Sequence, residues 1–337
     1  MNQPNTDTCL GVEAVNMALR IAMEADPSVL VLGEDVGDPE GGGVMGATRG
    51  LSTAFGDDRC RSTPISEQAI IGAAIGASIG GFRPVAEIML MNFTAVCMDM
   101  LYNHAAKLRF MSGGQTNVPI TVRMLTGAGA GGGGQHADYL EAWFAHAAGM
   151  KVVAPSNNAD LHGLLLSCIE DDDPCIFIEN TPLQRSRGPR PIPGQRVPIG
   201  KAAIARPGAD VTIVTHSRMV INALAAAEQL ASEGVDAEVI DLRTISPWDK
   251  TAVLDSVAKT GRAVVVHEAV RPFGIGAEIS ATIAEELFGD LNAPVQRIGA
   301  PFCPVPFARE LEDAYIPSAA RIHGAAMLTM DKAWVSA

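Results

Sequence analysis

The feature that most limits what this chain can fold into is a recurring short apolar run bounded by Pro or Gly. Such runs stand at Ser28–Gly33, Pro84–Leu90, Pro119–Leu125, Met150–Pro155 and Pro174–Glu179, three of them carrying one charge near the middle or end. Strands this apolar are buried on both faces, which antiparallel sheets with one wet face do not require. Between them lie segments with apolar residues at helical spacing, at about 12–25, 95–112, 138–148 and 159–170. Alternating helices and apolar strands predict a parallel sheet covered on both sides, an α/β fold.

The pattern pauses at Arg185–Pro198, too rich in Pro, Gly and Arg for either element. It resumes at Asp210–Thr215, Ala237–Leu242 and Arg262–His267, with helices expected at about 218–233, 248–259 and 275–288. Two α/β domains are therefore expected, residues 1–184 and 201–337, joined by a linker at 185–200. A composition of 47% hydrophobic and 19% charged residues over 337 positions can fill two such cores.

Charge and hydropathy remove some function classes. A net charge of −13 without clustered Lys and Arg argues against nucleic acid as a partner. The longest uncharged apolar run, Ala69–Phe82, stops at Arg83 and is too short to span a membrane. The polar start Met1–Thr8 is no signal peptide, so a cytoplasmic protein is expected. The six cysteines lack Cys-x-x-Cys spacing and are expected to be reduced thiols, with no zinc site.

Glu67 is the first candidate for chemistry. Pro64 disfavours helical geometry at Thr63, so the helix begins after it, with Ser66 able to cap and Glu67 in the first turn. From Ala69 to Gly81 the side chains are so small that another backbone or a ligand is expected close by. Glu34 and Asp35 end the first apolar strand, where α/β sheets bind ligands and where paired acids could hold a cation. Phe93 lies beyond another strand end, placed to stack on a cofactor or to fill core.

Gly127–Gly134 contains a Gly-x-Gly-x-x-Gly pattern, followed by Gln135 and His136. A dinucleotide fingerprint also needs an acid at the end of the next strand, and Lys151–Ser156 supplies none. The other reading is a loop whose glycines approach a ligand or partner while delivering His136, a candidate proton-transfer group, to a cleft. No Gly-x-x-x-x-Gly-Lys-Ser/Thr occurs, and no Gly-Asp-Gly followed by paired asparagines. A diphosphate cofactor would therefore need a second chain to hold it.

Nine ordered blocks resemble the beta subunit of the decarboxylating, thiamine diphosphate-dependent component of 2-oxo acid dehydrogenase complexes. They are Gly33–Val36, Gly50–Arg59, Thr63–Glu67, Ala105–Gly114, Gln135–His136, Lys151–Pro155, Gly200–Ala202, Glu238–Thr244 and Lys259–Arg262. The resemblance, over about residues 10–325, implies a transketolase-like pyrimidine-binding domain followed by a transketolase C-terminal-like domain. It implies an α2β2 heterotetramer with an alpha subunit that holds magnesium and shares the thiamine diphosphate, and a lipoyl-bearing acyltransferase core as a further partner. It also implies that Glu67 hydrogen-bonds the aminopyrimidine nitrogen, that Ile65 and Phe93 pack on the ring, that Glu34 lines the same pocket, and that His136 serves substrate binding and acyl transfer. A potassium ion is implied on the carbonyls of Ile120, Cys168, Ile169 and Asp171 and a side-chain oxygen of Asp173.

Two departures fall near the expected substrate pocket: Ala137-Asp138 where Ser-Gln is usual, and a longer, glycine-rich loop at Asp38–Met45. The segment Ala300–Pro317 looks more like acetoin dehydrogenase beta subunits than like pyruvate or branched-chain ones. The expected function is the beta subunit of an acetoin or 2-oxo acid dehydrogenase that acylates lipoyl. The rivals are a self-sufficient transketolase-like enzyme and a non-catalytic nucleotide-binding module.

Overall fold

The computed structural model describes residues 7–331. These residues divide into two compact units, 7–126 with 143–199, and 127–142 with 200–331. A division in chain order misses the excursion Gly127–Ala142, because a stretch of glycines carries no hydrophobic pattern to say which core it joins.

In the first unit six parallel strands lie in the order Lys151–Val153, Cys175–Asn180, Thr121–Thr126, Arg83–Leu90, Val29–Glu34 and Cys60–Thr63. Leu19 and Met23 of helix Gly11–Ala25 and Leu164 and Leu165 of helix Asn158–Glu170 share one core with Val31, Val85 and Phe177 of the sheet. Gly11 makes that packing possible, since a Cβ there would lie 2.5 Å from the carbonyl oxygen of Leu183. Asn157 starts the second helix by accepting from the amide of Asp160.

The single charges inside the apolar strands belong together. Arg123, buried in the central strand, donates to Glu87 Oε2 at 2.7 Å and to Glu179 Oε1 at 2.6 Å on the two flanking strands. Gln184 donates to the other Glu179 oxygen at 2.7 Å. Each ion thus has a partner, as burial in low dielectric demands.

Three expected elements differ. The helix expected at 95–112 is broken into Thr94–Asp99, a π-helical turn at Met100–Ala105, and Leu108–Met111. The helix expected at 138–148 shrinks to Glu141–Ala145. The linker is partly ordered: Arg187–Pro189 pairs antiparallel with Thr8–Leu10, and Val197 donates its amide to the Gly163 carbonyl. Backbone pairing needs no side-chain pattern, so a Pro- and Arg-rich strand leaves no periodic trace.

The second unit is a five-stranded sheet ordered Gln296–Ala300, Ala263–Val270, Val211–Thr215, Ala237–Asp241 and Ala203–Arg206, the last strand antiparallel and the others parallel. Helices Met219–Ser232 and Ala319–Thr329 bury Ala223, Ala227, Leu230, Ile322 and Ala326 against it. Helix Lys250–Thr260 is capped by Asp249, which accepts from the Ala252 amide, and it ends at Gly261 in the left-handed region. Among the described residues no helix is long and apolar enough to cross a membrane.

Candidate active site

In the first unit the chain turns sharply at two adjacent strand ends. Strand Val29–Glu34 pairs with Cys60–Thr63 so that Glu34 lies opposite Thr63. Asp35 then takes φ 55°, a left-handed geometry that Asp tolerates, and it is exposed while Glu34 stays buried. The two acids diverge and form no cation pair. After Thr63 the chain crosses Pro64 and enters helix Glu67–Ile79. Ser66 does not cap that helix with its side chain, contrary to the sequence expectation, and Glu67 is the acid in its first turn.

Glu34 and Glu67 are only 8% and 9% exposed, yet neither carboxylate accepts a hydrogen bond from the described residues. Thr63 Oγ1 is also buried without a partner among the described residues. Burial first, then the nearby charges of Glu67 and Asp35, raise the Glu34 pKa above the ordinary carboxylate value. Ile65, two residues before Glu67, is 82% exposed, an aliphatic side chain with nothing over it, and Phe93 is half-buried in the turn that follows strand Arg83–Leu90. Two near-buried acids lacking donors, with an uncovered apolar side chain alongside, fit a flat ligand that brings N–H groups and an apolar face. The expected close approach to the small-residue helix is not met within this unit: Ala69, Ala73 and Gly76 are exposed, and a Cβ on Gly76 would meet nothing within 4 Å.

The glycine-rich loop after Asp35 is held by Asp38. Its carboxylate accepts from the Gly50 amide, from the Thr53 amide at 2.8 Å and from the Ser52 hydroxyl at 3.1 Å. These bonds, led by the Thr53 hydroxyl, depress its pKa to about 2. Gly43 passes so close to Glu87 that a Cβ would lie 2.9 Å from its carboxylate oxygen.

The oxygens expected to hold potassium are already engaged. Arg83 Nη1 donates to the carbonyls of Ile169 at 3.2 Å and Asp171 at 2.9 Å, while Ile120 and Cys168 accept the amides of Cys175 and Asp171. The Asp173 carboxylate sits between Arg109 at 2.6 Å and Lys151 at 3.2 Å, and Lys151 also reaches Asp171 at 2.7 Å. With Arg83 on Asp172 at 2.7 Å, three cations face three carboxylates. Charge is balanced here, and a guanidinium spans two of the carbonyls. Among the described residues no group of three or more His, Cys, Asp or Glu could hold a metal.

In the second unit the glycine loop is organised around a carboxylate. Glu312 Oε1 accepts the Gly129 amide at 2.8 Å, and its two oxygens accept the Gly131 amide at 3.2 and 3.1 Å. Both glycines have positive φ, 100° and 74°, which aims their N–H groups into one concavity. That concavity is the feature a phosphate would need, and an internal anion fills it. Together with the absent ribose acid, this removes the dinucleotide reading. His136 follows a 3₁₀ turn at Gly133–Gln135 and is exposed. Its neighbour Ala137 is buried in the core of this unit, so that half of the departure alters packing beneath the loop, while Asp138 is half-buried.

A separate polar cluster is buried beneath it. Tyr139 and His216 rings lie 5.9 Å apart, Tyr139 and Ser217 face each other, and both His216 nitrogens are buried without partners among the described residues. Burial, reinforced by Glu268, raises the Glu141 pKa to about 8. Burial lowers His216 to about 3 and His267 to about 4.

Residues 11–186 match the family described as transketolase, pyrimidine binding domain, and residues 200–322 match transketolase, C-terminal domain. The acetoin:2,6-dichlorophenolindophenol oxidoreductase subunit beta of Cupriavidus necator is 47% identical over 325 residues, covering 94% of this chain and 96% of that protein. The chain belongs to this family of dehydrogenase beta subunits. The Bacillus subtilis protein of the same description is 42% identical over 92% of this chain and 94% of its own length. The 2-oxoisovalerate dehydrogenase subunit beta of Pseudomonas aeruginosa is 42% identical over 95% and 94%. A solved structure described as a split gene transketolase, inactive beta4 tetramer, superposes with a TM-score of 0.77 at 24% identity, covering 95% of this chain and 98% of that one, which shows the shared fold. The two-domain α/β reading of the sequence and its family resemblance are both met.

Proposed function

We propose that this chain is the beta subunit of a thiamine diphosphate-dependent acetoin dehydrogenase, active only with an alpha subunit that holds the diphosphate and its magnesium. The observation that carries the reading is the pair of nearly buried acids, Glu34 and Glu67, that lack donors at the strand ends. Bound thiamine diphosphate supplies a carbon nucleophile for attack on a carbonyl. Glu67 holds and exchanges a proton at the pyrimidine nitrogen, a role suited to a carboxylate shielded from water. Glu34 lines the same wall, and Ile65 and Phe93 offer apolar surface to the ring. His136 serves substrate binding and proton transfer as the acyl group passes to the lipoyl group of an acyltransferase. The exposed small-residue face at Ala69, Ala73 and Gly76 supports close approach of the alpha subunit, with α2β2 the stoichiometry proposed.

Acetoin is favoured over pyruvate and branched-chain 2-oxo acids by the look of segment Ala300–Pro317, with the 47% identity to the Cupriavidus necator protein beside it. Reconstitution with the alpha subunit tests the reading, with reduction of an artificial acceptor as the assay. Turnover by this chain alone with cofactor would refute the need for a partner, and faster turnover of pyruvate would refute the substrate. Glu67→Gln should fold normally and lose most activity in the complex. A residual rate above about a tenth would speak against its role, since acid–base groups supply roughly 10²–10⁴-fold.

A further inference from the structure

The glycine-rich loop is long, and glycines lose more freedom on ordering than any other residue, so something must hold Gly127–Gln135 in one shape. The second unit supplies that hold from three directions. Glu312, 2% exposed on helix Arg309–Tyr315, takes both the Gly129 and Gly131 amides. Glu268 Oε1 accepts the Ala128 amide at 2.7 Å, and Arg218 Nη1 donates to the Ala128 carbonyl at 2.7 Å. Further along, a Cβ on Gly133 would lie 3.3 Å from Phe307, and one on Gly134 would lie 3.1 Å from Pro304. Gly131 is thus the last backbone amide fixed by Glu312, and the 3₁₀ turn at Gly133–Gln135 joins it directly to His136.

We infer that Glu312 is a positioning residue for His136: its carboxylate acts as a built-in anion that fixes the left-handed turns at Gly129 and Gly131 and so sets where the imidazole is presented. The inference rests on the role proposed above for His136. A carboxylate suits the task better than an amide, because two oxygens can accept both N–H groups with full charge assistance. A glutamine in the same place offers one oxygen and turns an NH₂ toward a backbone donor. Arg218 and Glu268 act beside it on Ala128, one residue earlier in the loop.

The test uses the enzyme reconstituted with its alpha subunit and four forms: wild type, E312Q, H136Q and the double variant. E312Q is isosteric, and an unchanged thermal unfolding profile will confirm that it folds. Misplacing a reacting group by about an ångström costs on the order of 100-fold, so a 10- to 100-fold fall in kcat is expected for E312Q. If Glu312 acts through His136, the double variant will be no slower than H136Q alone. Hydrogen exchange at the Gly129 and Gly131 amides should also quicken in E312Q. Losses that multiply in the double variant, or wild-type turnover and exchange in E312Q, would overturn the inference. Wild-type turnover in H136Q would instead refute the role proposed for His136, and the exchange measurement would still decide whether Glu312 holds the loop.

Discussion

Glu141→Gln should make the protein progressively more stable than wild type as pH rises. Glu141 is fully buried, and its pKa rises from an ordinary 4.5 to about 8. Within that window the unfolded chain has lost the proton and the folded chain keeps it. The folded state binds more protons, so stability falls as pH rises. One proton difference is worth about 1.4 kcal/mol per pH unit, and the whole window sums to a ceiling of roughly 5 kcal/mol.

The two lowered histidines act with the opposite sign. His216 at about 3 and His267 at about 4 stay neutral when the unfolded chain takes up protons below its ordinary value of 6.5, so their contribution is lost as pH falls. Glutamine at 141 leaves those histidine effects in place and deletes only the acid's. The assay is urea unfolding of both forms in matched buffers from about pH 5 to about pH 8, inside the window that linkage defines. Burying an amide adds an offset independent of pH, so the slope is the diagnostic. A stability difference that stays flat across the window would refute the argument.

Arg123→Met should leave Glu87 and Glu179 buried without their cation and cost about 3–5 kcal/mol, the range for breaking one side of a buried ion pair, seen as a lower midpoint in thermal unfolding. For thiol chemistry, Cys303 is the exposed cysteine and the other five are buried, with Cys60 and Cys97 pushed up to about 12 by burial. Alkylation of the isolated native chain followed by peptide mass analysis should mark Cys303 first, and fast labelling of Cys60 or Cys97 would contradict their placement.

Much of the architecture was legible because buried parallel strands leave uninterrupted apolar runs, as at Val29–Leu32 and Ile176–Ile178. Glu67 could be singled out because Pro64 dictates where its helix starts. Other features could not be read, since they depend on neighbours remote in sequence. The Glu312 carboxylate and the Gly129 amide it accepts are 183 positions apart, and nothing local in helix Arg309–Tyr315 marks that residue as a loop anchor. The single charges at Glu87, Arg123 and Glu179 were visible, but their pairing follows from strand order, which periodicity does not fix. Two of the carbonyls expected to hold a cation accept from Arg83, which the sequence showed merely as the residue ending an apolar run.

The Arg123 triad also bears on how this sequence can drift. One guanidinium serves acids on two different strands, so the arginine cannot change by itself without stranding charge in the interior. Loss of either acid alone leaves the arginine with half its partners, and loss of the arginine strands two acids at once. Loss of the arginine should appear in related chains only together with loss of both acids, and single-site scanning will read the arginine as indispensable even though the trio as a whole is replaceable.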